Sequence, residues 1–230
     1  MPEKVTETLP PAIEPAPCAA ARFAAGEDPA KREQILDGAR SAFMKMGFDA
    51  ASMNDVTREA GVSKGTIYVY FESKDELFAA LIEREKGRFA DALRDILADS
   101  EDARDALRRF GLAFARQIID TDMIPAMRIL LGVIDRMPGL CKRFFASAPA
   151  EPRTVLRSFI DRQVEAGMLR VDDTDLAARQ FIDLATGTFF KQRLFGQMAT
   201  PPEQAEVERI VDSAVNVFMA AYGRPAAPAR

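Results

Sequence analysis

Val62 to Phe71 reads VSKGTIYVYF, a stretch that brings together a lysine, a threonine, a glycine and three aromatic side chains. Wound as an α-helix at about 100° per residue, it sorts those side chains by direction. Ile67 and Phe71 share one narrow arc and anchor the helix to whatever lies behind it. Gly65, Thr66 and Val69 fall on the opposite side and form a low ridge. Tyr68 and Tyr70 lie on the two flanks, where a ring packs on the scaffold and its hydroxyl reaches outward. A low ridge between hydroxyls and the Lys64 ammonium has the chemistry of a DNA reader. The ridge sinks into a major groove while the flanks brace against phosphates. Val69 offers no hydrogen bond to a base edge, so its natural contact there is a thymine methyl.

Other chemistries are short of residues. The chain has no histidine, which removes serine–histidine triads, histidine general bases and histidine-ligated metals. Cys18 and Cys141 are far apart and form no CxxC pair, so neither a zinc site nor a disulfide framework is expected. No catalytic residue, no metal ligand and no cofactor is predicted. An enzyme built on this chain would have to use carboxylates, and these are scattered over what read as solvated helix faces. Charge alone argues against nucleic acid: 35 acidic residues outnumber 31 basic ones. Between Lys31 and Leu77 the two signs nearly balance. Phosphate neutralisation must therefore come from a few placed cations, helix N-termini and hydroxyls, and nonspecific affinity is expected to be modest.

The elements that hold these residues are legible from caps and periodicity. Residues 1–28, rich in Pro, Ala and Glu, are expected to form a disordered arm and lack the pattern of a signal peptide. Asp28-Pro29 opens a first helix carrying Ile35, Leu36, Ala39, Phe43 and Met46, which Gly47 ends. Ser52 and Asp55 form a capping box for a short second helix, with Val56 and Ala60 inward and Gly61 as the left-handed stop. Ser63 caps the third helix only two residues later. Ser73, with Glu76 completing Ser-x-x-Glu, caps a fourth that buries Leu77, Phe78, Leu81 and Ile82. Prolines at 125, 138, 149, 152, 201 and 202 divide the remainder. Helices are predicted there over about 102–121, 124–136, 139–147, 152–167, 174–195 and 203–222. Nothing alternates like a strand, no run approaches the roughly 20 apolar residues of a membrane span, and residues 223–230 read as a loose tail.

Helix, glycine-containing turn, helix is the helix-turn-helix plan, and here the likeness goes further. The segment SMNDVTREAGVSKGTIYVYFESKDELFAALI resembles the DNA-binding head of the TetR family of bacterial transcriptional regulators. The resemblance is strong over residues 29–89 and extends weakly, through helix number and length, over the rest. It implies an all-α protein, with a three-helix head at 29–89 (motif 52–71) joined to a ligand-binding and dimerisation bundle at 90–222. It implies DNA contacts at Ser52, Ser63, Lys64, Gly65, Thr66, Tyr68, Tyr70 and Lys74. Val69 stands where relatives often carry a polar or aromatic residue. Most members repress transcription and leave a pseudo-palindromic operator when a small molecule binds.

In the body, Phe110, Phe114, Met123, Met127, Phe144, Phe159 and Phe181 are candidates for the lining of a mostly apolar effector pocket, with ordinary core packing as the other reading. Two-fold symmetry is needed to read a pseudo-palindrome. The candidate dimer interface is Phe181, Ala185, Gly187, Thr188, Val207, Ile210, Val211, Ala214 and Phe218 on the last two helices. The alternative is that this stripe faces the chain's own core. The expected partners are duplex DNA, a small apolar effector and a second copy, with no membrane. The expected location is cytoplasmic, on the nucleoid when operator-bound. The effector would act by shifting the fourth helix, which starts beside Lys74, and so the spacing of two recognition helices. A helical interaction scaffold whose head no longer binds DNA, and a small helical enzyme, stand as the other readings.

Overall fold

The computed structural model describes residues 24, 26–98, 102–133, 135–136 and 151–224. The predicted helix at 139–147, the arm through residue 23, the end of the tail and Phe144 lie outside them. Among the described residues nine helices follow one another. The head holds α1 (Pro29–Met46), α2 (Met53–Ala60) and α3 (Lys64–Tyr70). The connecting element is α4 (Lys74–Ala98), followed by α5 (Ala103–Asp120), α6 (Met123–Val133), α7 (Pro152–Glu165), α8 (Thr174–Leu194) and α9 (Gln204–Tyr222). No strand occurs among these residues, only an isolated bridge between Leu169 and Gly223.

The helix ends fall where local chemistry puts them. The Asp28 side chain accepts from the backbone N–H groups of Ala30 and Lys31 ahead of Pro29. At α2 the box closes in both directions: Ser52 Oγ accepts from Asp55 N–H, and Asp55 accepts from Ser52 N–H. At α4 the predicted box is shifted by one residue. Ser73 Oγ accepts from Glu76 N–H at 3.1 Å, but the Glu76 carboxylate reaches back to Glu72 N–H at 2.7 Å.

Two apolar cores result, and α4 belongs to both. Its first turns carry Leu77, Phe78, Leu81 and Ile82 into the head core with Ile35, Phe43, Val56 and Ile67. Its later turns carry Ala90, Leu93 and Leu97 into the body core with Phe110, Phe159, Phe181 and Phe218. The head core also receives Leu130 and Val133 from α6, an intrusion of the body that helix periodicity cannot reveal. Polar links follow the same route. Arg136 Nη2 bonds Asp49 at 2.9 Å, and Arg40 Nη2 bonds Asp122 at 2.5 Å. The Arg136 hydrogen bond holds the Asp49 carboxyl below the usual carboxylate range. That link is therefore intact above the range and is lost as pH falls through the lowered value. Arg84, nearly buried on α4, bonds Asp37 at 2.8 Å and Glu85 at 2.7 Å and approaches Glu33 at 3.3 Å, tying α4 to α1.

The last two helices correct one expectation. Phe181, Ala185, Val207, Val211, Ala214 and Phe218 are all buried within the single chain. Phe181 stacks edge-on against Phe218 at 5.5 Å and lies 6.2 Å from Phe110. They face the chain's own core and are not available to a second copy. Thr188 is exposed and Gly187 half-buried, Ile210 is half-buried against the body core, and the outer side carries Leu184 and Val217, which are 46% and 52% exposed. The apolar stripe is broad enough to have two sides, and the inner side is the one that sequence spacing picked out. Among the pocket candidates, Phe110, Phe159 and Phe181 are core side chains, while Phe114 and Met123 are half-buried against the body core. Met127 packs instead on the head core.

Candidate nucleic-acid interface

The seven-residue α3 is too short to be stable by itself, so everything that fixes it comes from caps and neighbours. Ser63 Oγ accepts from Thr66 N–H at 3.0 Å and lies 2.7 Å from the Thr66 hydroxyl. Gly61 takes the left-handed conformation, φ 63°, that turns α2 into α3. Ile67 and Phe71 are buried in the head core. On the far side Lys64 and Gly65 are exposed, and so are Tyr68 at 46% and Val69 at 52%. An exposed valine and tyrosine side by side, on a helix clamped from behind, is the arrangement a reading surface needs. Tyr70 is half-buried and packs on the head core, so only one of the two tyrosines stands free.

Of the polar candidates, Lys64 is exposed and has no carboxylate partner among the described residues, which leaves its ammonium available to a phosphate. Ser52 and Ser63 are exposed but committed as caps, and the Thr66 hydroxyl is shared with Ser63. Lys74 departs from the expected role. Its ammonium donates to the carbonyls of Phe48 at 2.7 Å, Ala51 at 3.0 Å and Asp49 at 3.4 Å, and it stands 4.4 Å over the Phe48 ring. With three donors and three acceptors, it ties the loop between α1 and α2 to the start of α4.

Two cations in the first turn of α1, Arg32 and Lys31, were not among the expected contacts, and Arg32 reaches the end of α3. The Arg32 guanidinium stacks 5.3 Å over the ring of Phe71, the C-cap of α3, while the residue stays exposed. Lys31, one residue earlier, bonds only Gln34 at 2.8 Å. Their one sequence signal was position in the first turn of α1. The contact with Phe71 depends on how α1 crosses α3. Other head cations are spent on carboxylates: Lys45 on Glu59 at 2.6 Å, and Arg58 on Asp55 at 2.7 Å. Among the described residues of the head, Lys31, Arg32 and Lys64 have no carboxylate partner; Lys64 lies on α3 and Arg32 stacks at its end.

Lys74→Met is therefore expected to lower the unfolding free energy of the head by about 1 kcal/mol, the cost of leaving two partly buried carbonyls and one exposed one without this donor. The dependence of DNA affinity on salt should keep its slope. Lys64→Ala or Arg32→Ala should instead keep the stability and flatten that slope by roughly one for each phosphate no longer neutralised. Denaturant melts alongside DNA titrations at several salt concentrations measure both. A Lys74→Met head of normal stability with a flattened slope would return Lys74 to the phosphate.

The chain matches known proteins along most of its length. Residues 35–81 match the family profile described as bacterial regulatory proteins, tetR family, and residues 105–224 match the AefR-like transcriptional repressor C-terminal domain. The chain is 29% identical over 201 residues to the HTH-type transcriptional repressor Rv1474c of Mycobacterium tuberculosis, covering 81% of this chain and 93% of that one. It is 36% identical over 84 residues to the HTH-type transcriptional activator FasR of Mycolicibacterium smegmatis. That match takes in 36% of this chain and only 38% of FasR. Among solved structures, a protein from Mesorhizobium loti described as a TetR-family transcriptional regulator superposes with a TM-score of 0.78 at 23% identity, covering 85% of this chain and 98% of that one. The flavonoid-responsive regulator FrrA superposes with a TM-score of 0.65 at 27% identity, covering 86% of this chain and 99% of FrrA.

Proposed function

The chain belongs to the TetR family of bacterial regulatory proteins, and from that premise we propose a homodimeric repressor that a small, largely apolar molecule releases from a two-fold symmetric operator. As a family member it is a DNA-binding transcriptional regulator. The observation that carries the reading is the outer face of α3, where Lys64, Tyr68 and Val69 stand exposed on a helix anchored by Ile67 and Phe71. Lys64, Arg32 and Lys31 hold the phosphates and fix register. Val69 meets a base edge through its methyl groups. The near balance of charge in the head keeps nonspecific binding weak, so the operator is found by fit rather than by field. Repression is favoured over activation by the match of residues 105–224 to a repressor body and by the likeness to Rv1474c along most of its length.

The effector class follows from the body. Phe114 and Met123 are half-buried on the body core beside α6, which itself enters the head core through Leu130 and Val133. An apolar molecule wedged beside α6 would disturb the head without touching it. Such a molecule acts only through unequal affinity for the bound and released states. FrrA, by its name responsive to flavonoids, and a FadR structure from Bacillus subtilis solved with stearoyl-CoA illustrate the range of effectors met by proteins of this fold. The test is selection of bound DNA from a randomised duplex library, followed by release with a library of hydrophobic compounds. Enrichment of a palindrome with half-sites about one helical turn apart is expected, together with release by at least one compound that binds the protein. Enrichment of no sequence at all would favour the interaction scaffold.

A further inference from the structure

The last turn of the recognition helix is held from a side that the helix-turn-helix plan does not supply. The chain approaches α1 through a turn in which Glu27 N–H donates to the Ala24 carbonyl at 3.1 Å. Within that turn Gly26 has φ 88°, a left-handed conformation that glycine enters without strain and other residues resist. A Cβ at Gly26 would lie 3.2 Å from the Val69 carbonyl oxygen and 3.4 Å from Val69 Cγ1. Gly26 therefore stands about one side-chain atom away from both the main chain and the side chain of the exposed valine. Next to it, Arg32 stacks on Phe71. The N-terminal approach to α1 and the first turn of α1 together wall one side of the C-terminal end of α3.

We propose that Gly26 is a positioning residue for DNA specificity: its turn holds Val69 in one orientation at the DNA face and thereby decides which base pair the valine meets. The proposal rests on the reading of Val69 as the base contact. Valine in a helix strongly favours one χ1 rotamer, but α3 has seven residues and its last carbonyls have no helical donors ahead of them. The orientation of its final turn is therefore set from outside. Gly26 supplies that wall because it has no Cβ. Any side chain there meets the left-handed penalty and crowds the Val69 carbonyl at once, so the turn or the valine must give by a few tenths of an ångström. The helix would then keep its fold, but Val69 would no longer be held in its native orientation.

The experiment compares the full-length wild type, Gly26→Ala, Gly26→Asn and Val69→Ala. Each is incubated with a randomised duplex DNA library, the bound fraction is sequenced, and a thermal melt is recorded. Both Gly26 variants and Val69→Ala should erode base preference at the same position of each half-site, roughly fivefold or more, while other positions stay within about twofold. Melting should stay near wild type. Asparagine tolerates the left-handed backbone but carries a Cβ, so agreement between the two Gly26 variants traces the effect to the contact. If Val69→Ala changes the preference and the Gly26 variants do not, Gly26 has no part in specificity, while the valine remains a reader. If Val69→Ala changes nothing, the valine is not a reader and the role of Gly26 goes with it. A uniform loss at all positions with a lowered melting temperature makes the turn a structural brace only, which also overturns the proposal.

Discussion

Gly38→Ala is expected to abolish operator binding while the body stays folded. Gly38 lies in the middle of α1 where α2 crosses it, and a Cβ there would fall 2.5 Å from both the nitrogen and the Cβ of Ala60 and 2.6 Å from its Cα. Two of those atoms are backbone, so no rotamer relieves the clash and the helices must separate. The contact also positions Gln34, whose amide donates to the Ala60 carbonyl at 2.7 Å. Overpacking of cores costs about 1–3 kcal/mol and more where backbone is struck, and the upper end applies here. The head core is small, and Val56 and Ile67 are tied to it through the same crossing. The loss should appear as an early unfolding step in hydrogen exchange over 29–82, while α5, α8 and α9 stay protected. DNA binding should fall below detection. A Gly38→Ala protein with wild-type exchange and wild-type operator affinity would mean that α1 and α2 do not approach this closely.

Charging the outer face of α8 and α9 should split the proposed dimer and leave each subunit folded. Leu184 and Val217 border an open groove of about 520 Å³ with Gln180, Asp183, Ala221 and Tyr222, and they also line a smaller one beside Ile210 and Ser213. Exposed apolar residues on two adjacent helices form the kind of patch that a stable dimer covers. For the double variant Leu184→Glu with Val217→Glu, light scattering should report a monomer at micromolar concentration. Operator affinity should drop by about 10²–10⁴, the gain that a linked second half-site supplies. Phe181→Ala is the contrasting variant. Phe181 is fully buried between Phe110 and Phe218, so its truncation should cost about 3–5 kcal/mol of body stability. A fully stable Phe181→Ala monomer would put this phenylalanine back at the subunit interface. A dimeric double glutamate variant would place the interface on another face.

What was readable from the sequence was whatever depends on near neighbours along the chain. Asp28, Ser52, Ser63 and Ser73 announced the helix starts because a cap bonds the backbone two or three residues on. Gly47 and Gly61 announced ends because their φ values of 78° and 63° suit glycine. Gly65 and Val69 on the outer side of α3 were readable too, since the short helix has a fixed period and Ile67 and Phe71 anchor it, whereas Thr66 and Tyr70 are half-buried. Tertiary structure decided the rest, and each instance involves a partner far along the chain. Lys74 spends its ammonium on the carbonyls of Phe48, Asp49 and Ala51, a choice no side-chain type encodes, because every residue has a carbonyl. Gly26 and Arg32 flank Val69 and Phe71 only because the N-terminal end of α1 comes up beside the end of α3. Leu130 and Val133 read as body residues and pack in the head. On α8 and α9 hydrophobic period located an apolar stripe without saying which half faces inward. A side chain has the same preference for a partner's surface as for its own core, and only the packing of the whole bundle assigned Phe181 and Phe218 to one and Leu184 and Val217 to the other.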